Sequence, residues 1–206
     1  MSSFFTKIFP GLFFKLVTFS YIASVKTGLK EFYEASGFRY VSVHPMFGPT
    51  FANLGNLQTE NAIIINEPQQ KNAKGEIEVT GTDYMGMIFF RDLFGSLKLN
   101  VKEYTFDGHD EVVAYSLSIP FASTLVFGSI MKHQEVPGTT FKKHLAIAHG
   151  LLSEDDYLLT EILFNPNTGE QLQGIIDKLA TLKEIVAHKD SNAMKQFLDN
   201  VRERVR

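Results

Sequence analysis

A chain of 206 residues with 44% hydrophobic and 21% charged side chains has room for one large domain or two small ones, and is too apolar for disorder. Its formal net charge of −3 gives no electrostatic basis for binding nucleic acid or an anionic membrane. The absence of cysteine excludes disulfides, thiolate zinc sites and cysteine nucleophiles, and fits a reducing, cytoplasmic setting.

The chain opens with FFTKIFPGLFFKLVTFSY, an apolar run interrupted by Lys7, Pro10 and Lys15. Those residues argue against a membrane span, and neither a basic start nor a small-residue cleavage site marks a signal peptide. The run reads as buried strand or helix. KLVTFSYIA is β-rich, and TGLKEFYEASG predicts a short amphipathic helix ending at Gly37. FRYVSV is the next strand. NAIIIN is another, apolar on both faces as a buried strand should be. EPQQKNAKGE reads as a polar loop, TDYMGMIFFRDLFGSL as a helix capped by Thr82 or Asp83, and KLNVKEYT as a strand. This alternation predicts a mostly parallel sheet with helices on its faces.

The period changes near Thr105, and from FDGHDEVVAYSLSIPFASTLVFGSIMKH onward the signals are helical. A helix over 110–131 carries small residues (Ala114, Ser116, Ser118, Ala122, Ser123) among apolar ones, with Pro120 bending it. GEQLQGIIDKLATLKEIVAH puts Leu172, Ile175, Ile176, Leu179, Leu182 and Val186 on one face. NAMKQFLDNVRERV does the same with Met194, Phe197, Leu198, Val201 and Val205. The expected architecture is therefore an α/β portion over 1–104 followed by an all-helical domain over 105–206. The 110–131 helix is too apolar to stay solvated in a monomer, which predicts a homodimer.

The chain has no glycine-rich dinucleotide motif, no Walker A motif and no HExxH. His144 and His149 stand five apart on one helix, a spacing that does not align two ligands, so no metal site is expected. VSVHPMFGP holds one histidine where a strand breaks into a loop. His44 is either a turn residue before Pro45 or an acid/base group, since catalytic side chains favour loops at the carboxyl ends of parallel strands.

SVHPMFGPTFANL, preceded by IASVKTGLKEFY and followed by FDGHDEVVAYSLSIPFASTLVFG, resembles the prephenate dehydrogenase family. The likeness covers about residues 20 to 205 and is closest to the short monofunctional type of tyrosine biosynthesis. It implies oxidative decarboxylation of prephenate to 4-hydroxyphenylpyruvate with NAD, and a helical dimerisation domain. His44 matches the residue that accepts a hydrogen bond from the ring 4-hydroxyl, where a neutral imidazole suits proton removal near pH 7. Ser24 matches a serine that contacts the same hydroxyl; its plain alternative is a cap before the helix near Thr27. The resemblance also groups Ser24 and Pro45 with the cofactor and Thr50 with the substrate. The His109–Asp110 pair opens the first helix of the dimerisation domain and reads as a cap favouring the helix dipole rather than as chemistry.

Two departures accompany the likeness. SSFFTKIF resembles the helix after a glycine loop, but the preceding strand, the glycines and the ribose-binding acid are missing, so the Rossmann-like sheet is expected to be incomplete and NAD to bind in the millimolar range or not at all. The helical region TTFKKHLAIAHGLLSED has no arginine for the prephenate carboxylate. Lys142, Lys143, His144 and His149 are its candidate cations, lysine acting as a point charge rather than a fork, unless the two lysines form only a solvated face. Three functions stay open: a prephenate dehydrogenase, a non-catalytic helical dimerisation module, and a sensor that keeps an aromatic-acid pocket without a cofactor.

Overall fold

The computed structural model describes residues 18–48, 52–53, 55–71, 73–75, 77–79 and 81–206, without the side chains of 77–79. The opening apolar run up to residue 17, including the SSFFTKIF helix, lies outside the described residues, as does Thr50.

Four strands form the main sheet: β1 (Thr18–Ile22), β2 (Arg39–Pro45), β3 (Asn61–Ile65) and β6 (Asn100–Tyr104), in the order β1-β2-β3-β6. β1 runs parallel to β2, with Ile22 opposite Val43, and β3 runs parallel to β6. β2 and β3 are antiparallel, with His44 opposite Ile63. The sheet is thus mixed, one reversed pair standing between two parallel ones. EPQQKNAKGE is not only loop. It contributes β4 (Gln70–Lys71), which pairs antiparallel with β5 (Ile77–Val79) in a separate ribbon. Its polar residues carry no two-residue hydrophobic alternation from which a strand could be read.

The two-residue period of β2 decides what covers each face. Val41 and Val43, with Ala62 and Ile64 of β3, pack on Met87, Phe90 and Phe94 of helix α2 (Tyr84–Ser96). α2 sits so close that a Cβ at Gly86 would come within 2.9 Å of Val41. Asp83 caps it, as expected, by accepting from the Gly86 amide. On the other face lie Tyr40, Ile63 and Ile65, covered by Tyr33 of α1 (Leu29–Ser36) and Phe106 of α3 (Phe106–Val113). Tyr33 and Tyr40 stack with ring centroids 4.0 Å apart. His44 shares the face of Tyr40 and therefore looks toward α3.

The first helical run begins earlier than expected. Thr105 is its cap, accepting from the Gly108 amide at 3.1 Å. The α3 segment passes through a π turn (Ala114–Ser118) into α4 (Ile119–Ile130). Pro120 has no N–H to give to the preceding turn, and the ladder takes up that misfit as the wider π turn. The small residues earn close packing there. Ser118 donates to the Ile162 carbonyl, and Thr168 donates to Ser118. Those contacts bind the run to α6 (Asp156–Leu163) and α7 (Thr168–His188). The remaining helices are α5 (Thr139–Leu151) and α8 (Ser191–Arg204). Along α7 and α8 the apolar face is in place, but Ile176, Leu179, Val186 and Val201 are exposed in the single chain.

Candidate active site

β1 and β2 are parallel, so their carboxyl ends meet at one edge of the sheet. β1 leads there into Ser24 and Lys26, and β2 ends there at His44 and Pro45. The Ala23 amide donates to the Val43 carbonyl, which fixes the turn against β2. Ser24 does not cap α1, whose N-cap is Gly28 without a side-chain bond. Lys26 folds back under the sheet edge, 2% exposed, and donates to Ser42 Oγ and to the Val43 carbonyl, each at 2.8 Å. Burial lowers its pKa to about 7, partly opposed by the nearby Asp110 carboxylate.

His44 is 2% exposed and His109, entering from α3, is fully buried. His44 Nδ1 lies 2.9 Å from His109 Nε2. His109 Nδ1 lies 3.0 Å from Asp110 Oδ1. Burial first, then His109 and the Lys26 ammonium, push the His44 pKa down to about 3. Burial also lowers His109, against the raising effect of Asp110. Both rings are neutral near pH 7. The expectation that His109 and Asp110 act as a cap is therefore overturned: Thr105 caps the helix, and His109, bonded to Asp110, contacts His44.

A cavity of about 320 Å³ opens over this group. Ser24, His44 and Pro45 line it, so three of the residues singled out from sequence meet there. Its apolar wall comes from Met46 and Phe47 after β2, and from Leu117, Phe121, Leu158 and Ile162 of the helical half. Leu117 belongs to the π turn. Glu60 and Glu154 are its acidic lining residues. Lys142, Lys143 and His144 are exposed on α5 and none lines the cavity; α5 turns Ala148 and Leu151 inward instead, and His144 packs on the Phe127 ring.

Among the described residues no three His, Asp or Glu side chains gather as metal ligands would. The pyrophosphate of a dinucleotide needs a strand leading through glycines to open helix amides. Gly28 and Gly81 are single glycines at strand-to-helix turns, and at the start of α2 the Gly86 amide already donates to the Asp83 carboxylate. The described residues therefore do not fit that group.

Comparison with solved structures gives the architecture a precedent. A prephenate dehydrogenase from A. aeolicus, in complex with hydroxyphenyl propionate and NAD+, superposes with a TM-score of 0.67 at 20% identity. The chain has the fold of the prephenate and arogenate dehydrogenases. A second Aquifex aeolicus prephenate dehydrogenase structure gives a TM-score of 0.64 at 16% identity, and the Synechocystis arogenate dehydrogenase 0.62 at 14%. These alignments cover 91%, 91% and 89% of this chain, which spans 66% of the length of each of the three dehydrogenases. No family model and no curated protein matches the sequence.

Proposed function

We propose that the chain carries the substrate side of a prephenate-dehydrogenase-type site. The observation that supports this best is a buried, neutral His44 at the wall of a cavity of about 320 Å³, backed by His109 and Asp110. The cavity suits a ligand with an apolar ring and a hydroxyl. His44 accepts the hydroxyl proton as the carbon beneath it is oxidised, and Ser24 orients that hydroxyl. Lys142, Lys143 and His144 are left out of this assignment because none lines the cavity. The family resemblance implies NAD as hydride acceptor, but the described residues offer it no cradle, so the reading concerns binding and the proton alone.

Two measurements test it. Calorimetry with prephenate, arogenate and hydroxyphenyl propionate is expected to show binding, and NAD reduction in their presence reports oxidation. No binding of any of the three at millimolar concentration would refute the reading. Binding without NAD reduction would favour the sensor.

The homodimer belongs to the same proposal. The run Phe106–Ile130 is long and apolar enough by length and composition to cross a membrane, yet only 22% of its most apolar stretch is buried in the single chain. With the exposed apolar residues of α7 and α8, it leaves apolar surface of the kind that interfaces between chains cover. A second copy is the proposed cover. Light scattering at micromolar concentration is expected to give twice the chain mass, and a monomer would sink the idea.

A further inference from the structure

We propose that Asp110 and His109 form a proton relay that fixes the tautomer of His44 and takes over its charge when His44 accepts a proton. The assignment follows from the last acceptor in the chain of contacts. Asp110 Oδ1 is a carboxylate oxygen and only accepts, so His109 Nδ1, at 3.0 Å, carries hydrogen and donates. A neutral His109 then has a lone pair on Nε2. His44 Nδ1, at 2.9 Å, must donate to it. That leaves His44 Nε2 without hydrogen, as a base requires, at a residue that lines the cavity. One carboxylate thereby sets the polarity of two imidazoles.

The same arrangement says where a proton goes. When a ligand hydroxyl gives its proton to His44 Nε2, the O–H bond breaks and an N–H bond forms. The His44 Nδ1–H bond breaks and the proton crosses to His109 Nε2. His44 ends neutral in the opposite tautomer, and His109 ends as the imidazolium beside Asp110. The groups around the pair favour that outcome. Lys26, from the turn after β1, lowers the proton affinity of both rings, and Asp110, on α3, raises that of His109. Ser42 on β2 holds the Lys26 ammonium, while Glu60 and Glu154 face the cavity beside His44. The carboxylate in direct contact with the pair thus stands at the His109 end. His109 and Asp110 are positioning residues, since neither lines the cavity.

Nitrogen NMR of the full chain labelled at its histidines tests this without any ligand. At pH 8, two-bond nitrogen–proton couplings are expected to report the Nδ1–H tautomer for both His44 and His109. Asp110→Asn is nearly isosteric, and its amide can donate to His109 Nδ1. That variant is expected to switch both rings to the Nε2–H tautomer with backbone amide shifts unchanged away from residue 110. An Nε2–H tautomer of His44 in the parent chain would overturn the relay, and so would an unchanged tautomer in a folded Asp110→Asn. Should the variant fail to fold, the tautomer of the parent decides alone. The consequence for turnover rests on the reaction proposed above: Asp110→Asn should lower kcat by about 10²–10⁴ and move KM little, as a wrong tautomer does. If no ligand is oxidised, that reading fails while the tautomer result still stands or falls by itself.

Discussion

Replacing His44 by Asn is expected to lower any oxidation of a prephenate-type hydroxy acid by about 10²–10⁴-fold in kcat, with a smaller change in KM. Asn is close to His in size and can still donate to His109 Nε2, so the cavity wall survives. What it lacks is a neutral ring nitrogen whose lone pair can receive the hydroxyl proton. Binding of the ring and its substituents draws on the apolar wall of Met46, Phe47, Leu117 and Phe121, which the change leaves in place. Steady-state kinetics of the two proteins checks this, and unchanged kcat in His44→Asn rules out the base.

Acid is expected to destabilise the fold well before its carboxylates titrate. His44 has a folded pKa of about 3 against about 6.5 in the unfolded chain, and His109 is shifted the same way. Between those values the unfolded chain binds more protons than the folded one, so stability rises with pH across the window and is lost as pH falls through it. At 1.36 kcal/mol per pH unit, His44 alone removes roughly 2–3 kcal/mol between pH 6.5 and 4.5. Denaturant melts at the two pH values measure it. His44→Asn should flatten the dependence, and equal slopes in the two proteins would mean that His44 is not a buried neutral base.

The strands of the main sheet were legible because Val41, Val43, Ile63 and Ile65 alternate or cluster as a buried strand demands. The cap at Asp83 was legible because a carboxylate before an apolar helix answers to local chemistry alone. The relay was not. His44 and His109 are separated by 65 residues, and nothing local states that β2 turns its even-numbered face to α3. Lys26 escaped for another reason: lysine reads as a surface residue, and its burial becomes visible only when Ser42 and Val43 are seen to receive it. The exposed stripes of α7 and α8 were read as a face correctly, but what covers such a face is a property of an assembly and not of one chain.

The reversed strand β3 has a consequence for how this site could change over time. Because β3 runs against β2, the connection between them starts along the cavity at Met46, Phe47 and Gly48 and comes back to it at Glu60, all of which line it. A bond from the Met46 amide to the Asn61 carbonyl closes its neck. Residues can be added to or removed from such a loop at little entropic cost, since closure entropy grows slowly with length. The pairing of β2 with β3 is set below the neck and need not follow. The loop is therefore a place where selectivity can drift by insertion and deletion while the proton-handling residues stay fixed.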